Sequence, residues 1–450
     1  MANVRRLLSA EEVMREAEAR FIRFSSQNCI DDHQFHSMPN HVFSSAPFGL
    51  SCQETKDVEL ACLLLASAEK VSKQEFDEGS RLLKLCDFLS SRTGTSVQRT
   101  VHYFAKALQE RIDRQTGRTA VKGLNSNEEH ASHHEEKEYG NPTLISCYLQ
   151  LPFSQVTQFA GIQAMVESVA SAKKIHYIDL AIRNGLQSIV LMQALATREE
   201  FPVEILKITA VGTTSGNKIE ETGNRLARFA ETLNLPFSFK TVMVRDIKDL
   251  NKDMFETEAD EVVAVNSRFL LNNMITKPVC LESLIKVLRD LNPCVMVISE
   301  VEADHNSPTF LGRFQEALLF YSAFFESLEV CMDQNNRMTL EAAYSGQEIL
   351  NIVATEGEDR VFRRMKIDAW RVFFERFGMV EQELSTSSLY QAQLLVKNFA
   401  CGSSCTLDMN GKCLTVGWKG RPILSLSSWK FHQGKSQKRI CSMLSESLVS

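Results

Sequence analysis

Four ionisable side chains follow one apolar run. Glu300, Glu302, Asp304 and His305 come at the end of VMVIS, where the strands of an α/β sheet finish and active sites lie. Such a group can bind a cation through its oxygens or act as acid and base. The plainer alternative is a polar strand end satisfied by backbone groups and helix N-termini, and that reading is favoured. His130, His133 and His134 offer metal-type ligands, but they stand in the polar stretch 122–140, which reads as a solvated linker. The 12 cysteines contain no CxxC pair; Cys401 and Cys405 are the nearest, with no His at zinc-finger spacing. They read as reduced thiols of an intracellular protein, buried as small hydrophobes. No phosphate loop of the form GxxxxGK[ST], no GxSxG elbow and no HExxH occurs.

The elements that would position these residues are legible from periodicity. Phe76, Gly79, Leu82, Leu83, Cys86 and Leu89 share one helical face, and so do Val97, Val101, Phe104, Ala105, Leu108 and Ile112. Arg92–Ser96, with Gly94, separates them, which predicts a helical hairpin or bundle. Its leucine face is either intramolecular core or a dimer seam. From Ile175 onward, apolar runs of strand length alternate with helical segments. Strands are expected at 175–180, 205–212, 237–244, 262–269 and 295–302. Helices are expected from the first of these through Leu195, then at 222–235, 279–290 and 310–329. The segment from Trp370 to Phe377 reads as the buried face of a helix that Gly378 ends. Residues 413–431 read as strand, Gly-containing turn and strand. The fold class is therefore α/β, a Rossmann-like doubly wound sheet of the class I methyltransferase type with an N-terminal α-helical cap.

Composition sets bounds on function. The 450 residues allow two to four domains or one large domain with a cap. A hydrophobic fraction of 44% and a charged fraction of 24% are globular values. A net charge of −6 argues against a basic nucleic-acid coat protein, though not against a local basic groove. No run approaches the ~18 apolar residues of a membrane span, and the first 20 residues lack the apolar core of a secretory signal. A soluble, intracellular protein is expected.

A sheet of this type invites a test for S-adenosylmethionine. The loop after the first strand should be glycine-rich, so that backbone can approach the cofactor. Here Asp179 ends the strand, but Leu180-Ala181-Ile182-Arg183-Asn184-Gly185 holds a single glycine. The second strand should end in an acid for the ribose hydroxyls; here it ends in Val211-Gly212-Thr213-Thr214. Both departures point to a retained fold with a degraded cofactor site. No cofactor, no metal and no catalysis are expected.

These residues together resemble the GRAS family of plant regulators, which includes SCARECROW, SHORT-ROOT and DELLA proteins. The likeness runs from 57 to 431, with five family regions in order. The first leucine-rich region is similar to Asp57–Gly117, including VHYFAKALQERI. The VHIID region is Ile175, His176, Tyr177, Ile178 and Asp179, followed by Gly185 and Gln187; Ser188 stands where Trp is usual. The second leucine-rich region resembles TGNRLARFAETLNLPFSF. The PFYRE region begins at LNPCVMVISEVEADHNSPTFLGRF, with Pro293, and has Gln347-Glu348 for its Arg-Glu element. The SAW region keeps Trp370, Gly378, Trp418 and Trp429. The implied organisation is a variable segment 1–55, a GRAS domain 56–431 and a tail 432–450. Within the domain lie the cap 57–117, the linker 122–140 and the regions 175–212, 222–255, 291–360 and 361–431.

The resemblance implies a nuclear co-regulator of transcription without catalysis. It would form homo- or heterodimers with other GRAS proteins and dock on DNA-bound factors, notably INDETERMINATE-domain zinc fingers, touching DNA mainly through them. A sequence-specific DNA-binding protein is the first alternative and a methyltransferase the second. The DELLA and TVHYNP signatures are absent, so no direct binding to a gibberellin receptor is expected.

Individual roles follow. Asp179 is expected to hold its own loop by accepting backbone N–H bonds, with His176 on the opposite face of the strand. Trp418 and Trp429 are expected to pack the terminal hairpin on the core. Arg421, beside Pro422, is expected in the turn, solvated or touching a partner or DNA. The basic tail 430–439 reads as solvated, with nuclear import as the sharper alternative.

Overall fold

Six residues, Lys174–Asp179, form the first strand, β1, because IHYID is apolar on both sides and needs cover on both faces. A computed structural model describes residues 6–27, 50–118, 141–213 and 216–432. The linker 122–140 with its three histidines, Thr214, most of the Ser25–Cys52 stretch and the tail beyond His432 lie outside the described residues.

Strands β2 (Ile205–Gly212), β3 (Phe237–Met243), β4 (Val262–Arg268) and β5 (Val295–Val301) join β1 in a parallel array. The chain then adds β6 (Met379–Gln382), β7 (Cys405–Asn410), β8 (Cys413–Trp418) and β9 (Arg421–Phe431). The sheet order is β3-β2-β1-β4-β5-β9-β8-β7, with β6 paired to β9 and β9 antiparallel to β5. The reversal between β1 and β4 makes this a Rossmann-like sheet with its switch point at their C-terminal ends.

The helical cap comprises α1 (Ala10–Gln27), α2 (Cys52–Ser72), α3 (Phe76–Leu89) and α4 (Ser96–Gln115). Capping boxes start two of these helices, Ser51 with Glu54 and Thr95 with Gln98. The expected face of α4 is buried at every position, so it is intramolecular core. On α3, Gly79, Leu83 and Cys86 are buried, while Leu89 turns to solvent.

Between cap and sheet run α5 (Pro142–Gln150) and α6 (Pro152–Ser168); then come α7 (Leu186–Ala196), α8 (Gly216–Thr232) and α9 (Pro278–Leu291). The remaining helices are α10 (Phe310–Cys331), α11 (Gln334–Leu340), α12 (Gly346–Ala354), α13 (Ile367–Glu375) and α14 (Thr386–Asn398). A π turn, Glu341–Ser345, joins α11 to α12. Side chains of α6, α7, α8 and the cap form one core with Tyr177 and Trp418; α9 and α13 close the other face around Ile178 and Trp429.

The terminal hairpin corrects one expectation. Its turn is Lys419-Gly420, both with positive φ (48° and 93°), and Arg421 is already strand. Arg421 is 8% exposed, with its guanidinium 2.9 Å from Glu316 Oε1 and 3.7 Å from Glu11 Oε1. It is neither solvated nor open to DNA, because it ties the hairpin to α10 and α1.

Candidate functional site

The switch point between β1 and β4 is where a sheet of this topology holds a ligand. In register, Asp179 stands beside Asn266, and β1 sends Tyr177 and Asp179 to the same face. Asp179 is 2% exposed. Its carboxylate accepts from the Tyr177 hydroxyl at 3.1 Å and the Ala181 N–H at 3.0 Å, with Asn266 as a third donor. Burial raises its pKa in spite of those bonds. Gln187, in the first turn of α7, donates to Asn266 Oδ1 at 2.8 Å. The acid is spent on its own loop and on neighbouring strands.

The loop itself is covered. Gly185 has φ +72°, and a Cβ there would lie 2.8 Å from Thr222 Cγ2 on α8. Thr222 donates to the Arg183 carbonyl at 3.2 Å, and Arg225 donates to the Asn184 carbonyl at 3.3 Å. The carbonyls of Arg183 and Asn184 are therefore satisfied from α8. Arg183 and Arg268 both lie over the Phe269 ring, at 5.5 and 4.9 Å from its centroid. S-adenosylmethionine needs an acid free for hydrogen bonding and bare backbone beside it. These residues do not fit that cofactor.

His176 faces the other side of β1, as expected. Its Nε2 is 2.8 Å from Thr209 Oγ1 and its Nδ1 is 3.2 Å from Glu261 Oε2. Burial, with Lys207 and Lys240 adding to it, pushes its pKa down to about 4. Glu261 pulls the other way, but it is itself 3.5 Å from Lys207, and burial prevails. A hydroxyl, an imidazole and a carboxylate in line resemble a hydrolase relay. Here Thr209 and His176 are both fully buried, so the line joins β1 and β2 to the start of β4 without facing a substrate.

The acid group after β5 is dispersed. Glu300 accepts the Leu271 N–H at 2.7 Å, and burial raises its pKa to about 7. Glu302 accepts the Ile367 N–H, at the start of α13, through both oxygens at 3.1 Å. His305 lies parallel to the Tyr321 ring at 5.8 Å and is held neutral by burial and four nearby cations. Among the described residues, no three His, Cys, Asp or Glu side chains are grouped to hold a metal ion. Backbone N–H groups, one of them at a helix N-terminus, satisfy Glu302 and one oxygen of Glu300, while Glu300 Oε2 and both ring nitrogens of His305 are buried without a hydrogen-bond partner.

The remaining motif residues lie apart from the switch point. Ile175 and Ile178 are buried on opposite faces of β1. Pro293 is buried in the turn before β5, after Asn292 with φ 47°. Gly378 ends the α13 segment with φ +74°. Trp370 and Trp429 both pack on Phe374, at 5.4 and 4.8 Å between ring centroids, and Trp418 donates to Glu326 at 3.0 Å. Sequence reasoning missed Asn266, Thr222 and Arg225. Only Asn266 carried a signal, as an amide within the apolar run VVAVN.

The profile of the GRAS domain family matches residues 60–430. The DELLA protein RGL1 of Arabidopsis thaliana is 33% identical over 385 residues, covering 85% of this chain and 72% of that one. The DELLA protein GAI1 of Vitis vinifera is 31% identical over 394 residues, covering 86% of this chain and 64% of that one. The crystal structure of SCL7 in Oryza sativa superposes with a TM-score of 0.72 at 28% identity, over 82% of this chain and 99% of that one.

Proposed function

Since the chain belongs to the GRAS domain family, we propose that it is a nuclear co-regulator of plant transcription that works as a docking scaffold. It pairs with other GRAS proteins and reaches DNA through bound factors such as INDETERMINATE-domain zinc fingers. It carries out no chemistry. The observation that supports this reading is where apolar surface remains. Leu85, Phe88 and Leu89 share one face of α3 and are 46%, 85% and 47% exposed. A monomer gains nothing by presenting them to water, and contiguous exposed apolar side chains mark interaction sites.

Electrophoretic shifts of a target promoter across salt concentrations test the proposal. The chain alone leaves the DNA unshifted, and it adds a slower band once the zinc-finger protein is bound. A shift by the chain alone, falling steeply with salt, would instead establish the direct DNA-binding alternative.

A further inference from the structure

Four arginines from three parts of the chain gather around one carboxylate. Arg111 comes from the end of α4, Arg313 from the start of α10, and Arg360 and Arg363 from the connection after α12. Arg111 Nη2 is 2.9 Å and Arg313 Nη2 2.5 Å from the same oxygen, Glu356 Oε1. Arg360 donates to the His305 carbonyl at 3.1 Å. Arg363 donates to the Gly357 carbonyl at 2.6 Å and to Asn306 Oδ1 at 3.4 Å. Even with Glu358 and Asp359 of the same connection counted, the cations are in excess.

The excess is not hidden at the surface. Arg111, Arg313 and Arg360 are 7%, 1% and 5% exposed, and the Nε of each is buried without an acceptor. Burial, with Arg313 adding to it, lowers Arg111 although Glu356 opposes the change. Burial, Arg313 and Arg363 bring Arg360 down to about 10. Buried donors left unpaired are costly, and a built ion-pair network leaves few of them.

A second feature meets the arginines. The 22-residue helix α10 begins here, capped by Thr309, whose hydroxyl accepts from the Gly312 N–H at 3.3 Å. Its N-terminal dipole favours an anion. The Ser307 carbonyl accepts from Arg313 at 3.2 Å, and a Cβ at Gly312 would lie 2.8 Å from Ser307 Oγ. That hydroxyl therefore sits over the first turn of α10, beside the cluster. The present counter-ion is replaceable, because the Glu356 side chain is 47% exposed and Gly357 follows with φ +57° and open space around it.

A carboxylate brings one charge and two oxygens; a phosphate monoester brings nearly two charges and three strong acceptor oxygens. We propose that Arg111, Arg313, Arg360 and Arg363, at the N-terminus of α10, form a binding site for a phosphate monoester dianion that displaces Glu356. The phosphate arrives either on a free small molecule or as a phosphoryl group on Ser307, which precedes Pro308 and so fits a proline-directed kinase.

Thermal unfolding of the purified chain tests this, with inorganic phosphate titrated against sodium chloride of equal ionic strength. The site gives a saturable rise in midpoint of about 2 °C or more in phosphate. Glu356→Gln starts lower in chloride and rises further in phosphate. Arg363→Gln, at the half-buried member, stays folded and loses the rise. Equal midpoints in the two salts, for both wild type and Glu356→Gln, overturn the proposal, as does a rise that Arg363→Gln keeps in full. Phosphoserine installed at 307 by codon suppression separates the two sources. If the phosphoryl group fills the site, the modified chain is more stable and deaf to added phosphate. If it responds as the unmodified chain does, the site belongs to a free ester.

Discussion

Arg99 and Glu341 meet at 3.0 Å with both side chains fully buried, though they are 242 positions apart in the chain. The same guanidinium donates to the Phe325 and Gly94 carbonyls and reaches Glu329 at 3.0 Å. One side chain thus fastens the cap helix α4 to α10 and to the π turn before α12. Arg111 and Arg421 make further cross-links, to Glu356 and to Glu316 and Glu11. Cap and sheet are one structural unit, which suits a scaffold presenting several surfaces in fixed relation.

Removing Arg99 leaves the buried Glu341 with only Arg337, 3.9 Å away, as a counter-charge. Arg99→Met is expected to lower stability by about 3–5 kcal/mol, and Arg99→Lys to recover only part of it, since an ammonium cannot reproduce the fork. Urea unfolding checks this, with limited proteolysis to show whether the cap loosens first.

His176 gives a dependence on pH. Its folded pKa of about 4 lies below the unfolded value near 6.5. Its contribution is therefore fully present above about pH 6.5 and is lost as pH falls toward 4, at most about 1.4 kcal/mol per pH unit. His305 acts in the same direction. The unfolding free energy of wild type should fall over this window more steeply than that of His176→Gln; parallel curves would refute the assignment.

Trp418 is fully buried, edge-on to Phe153 at 6.4 Å, and bonded to Glu326. Trp418→Ala should lose about 3–5 kcal/mol. Any loss of partner binding in that variant then tracks the unfolded fraction, as circular dichroism at the assay temperature will show.

Gly185 is constrained twice, by its φ of +72° and by Thr222. Gly185→Ala should lose roughly 1–2 kcal/mol from the backbone alone, and more from the overlap. Pairing it with Thr222→Ser removes the methyl and should return the steric part, which a double-mutant cycle measures.

The parallel sheet was plain in the chain because its inner strands β2, β1, β4 and β5 are buried on both faces, while only β3, at the edge, is half-exposed. IHYID, ILKITAVG and VVAVN are apolar runs between helices, and their observed limits fall within a residue or two of those expected. Helix α6 gave no signal, since residues as varied as Phe153, Gln158, Gly161 and Met165 are buried over most of its circumference, and the half-buried remainder mixes Gln155 and Gln163 with Phe159 and Val166. Strand β7, CTLDMN, lies at the edge of the sheet and mixes half-buried with exposed positions, so its alternation is lost. Arg421 was misplaced for a different reason. Beside Gly420 and Pro422 it has the neighbours of a turn residue, and only the fold brings Glu316 and Glu11 to it. At the switch point, the missing glycines were visible in the sequence. That α8 covers the loop was not, because Thr222 and Arg225 are ordinary residues for an amphipathic helix.

The most direct test of a scaffold without a working cofactor site is calorimetric titration of S-adenosylmethionine, and of its demethylated product, into the purified chain. The account predicts no saturable heat from either. One-to-one binding that Asp179→Asn abolishes would contradict it.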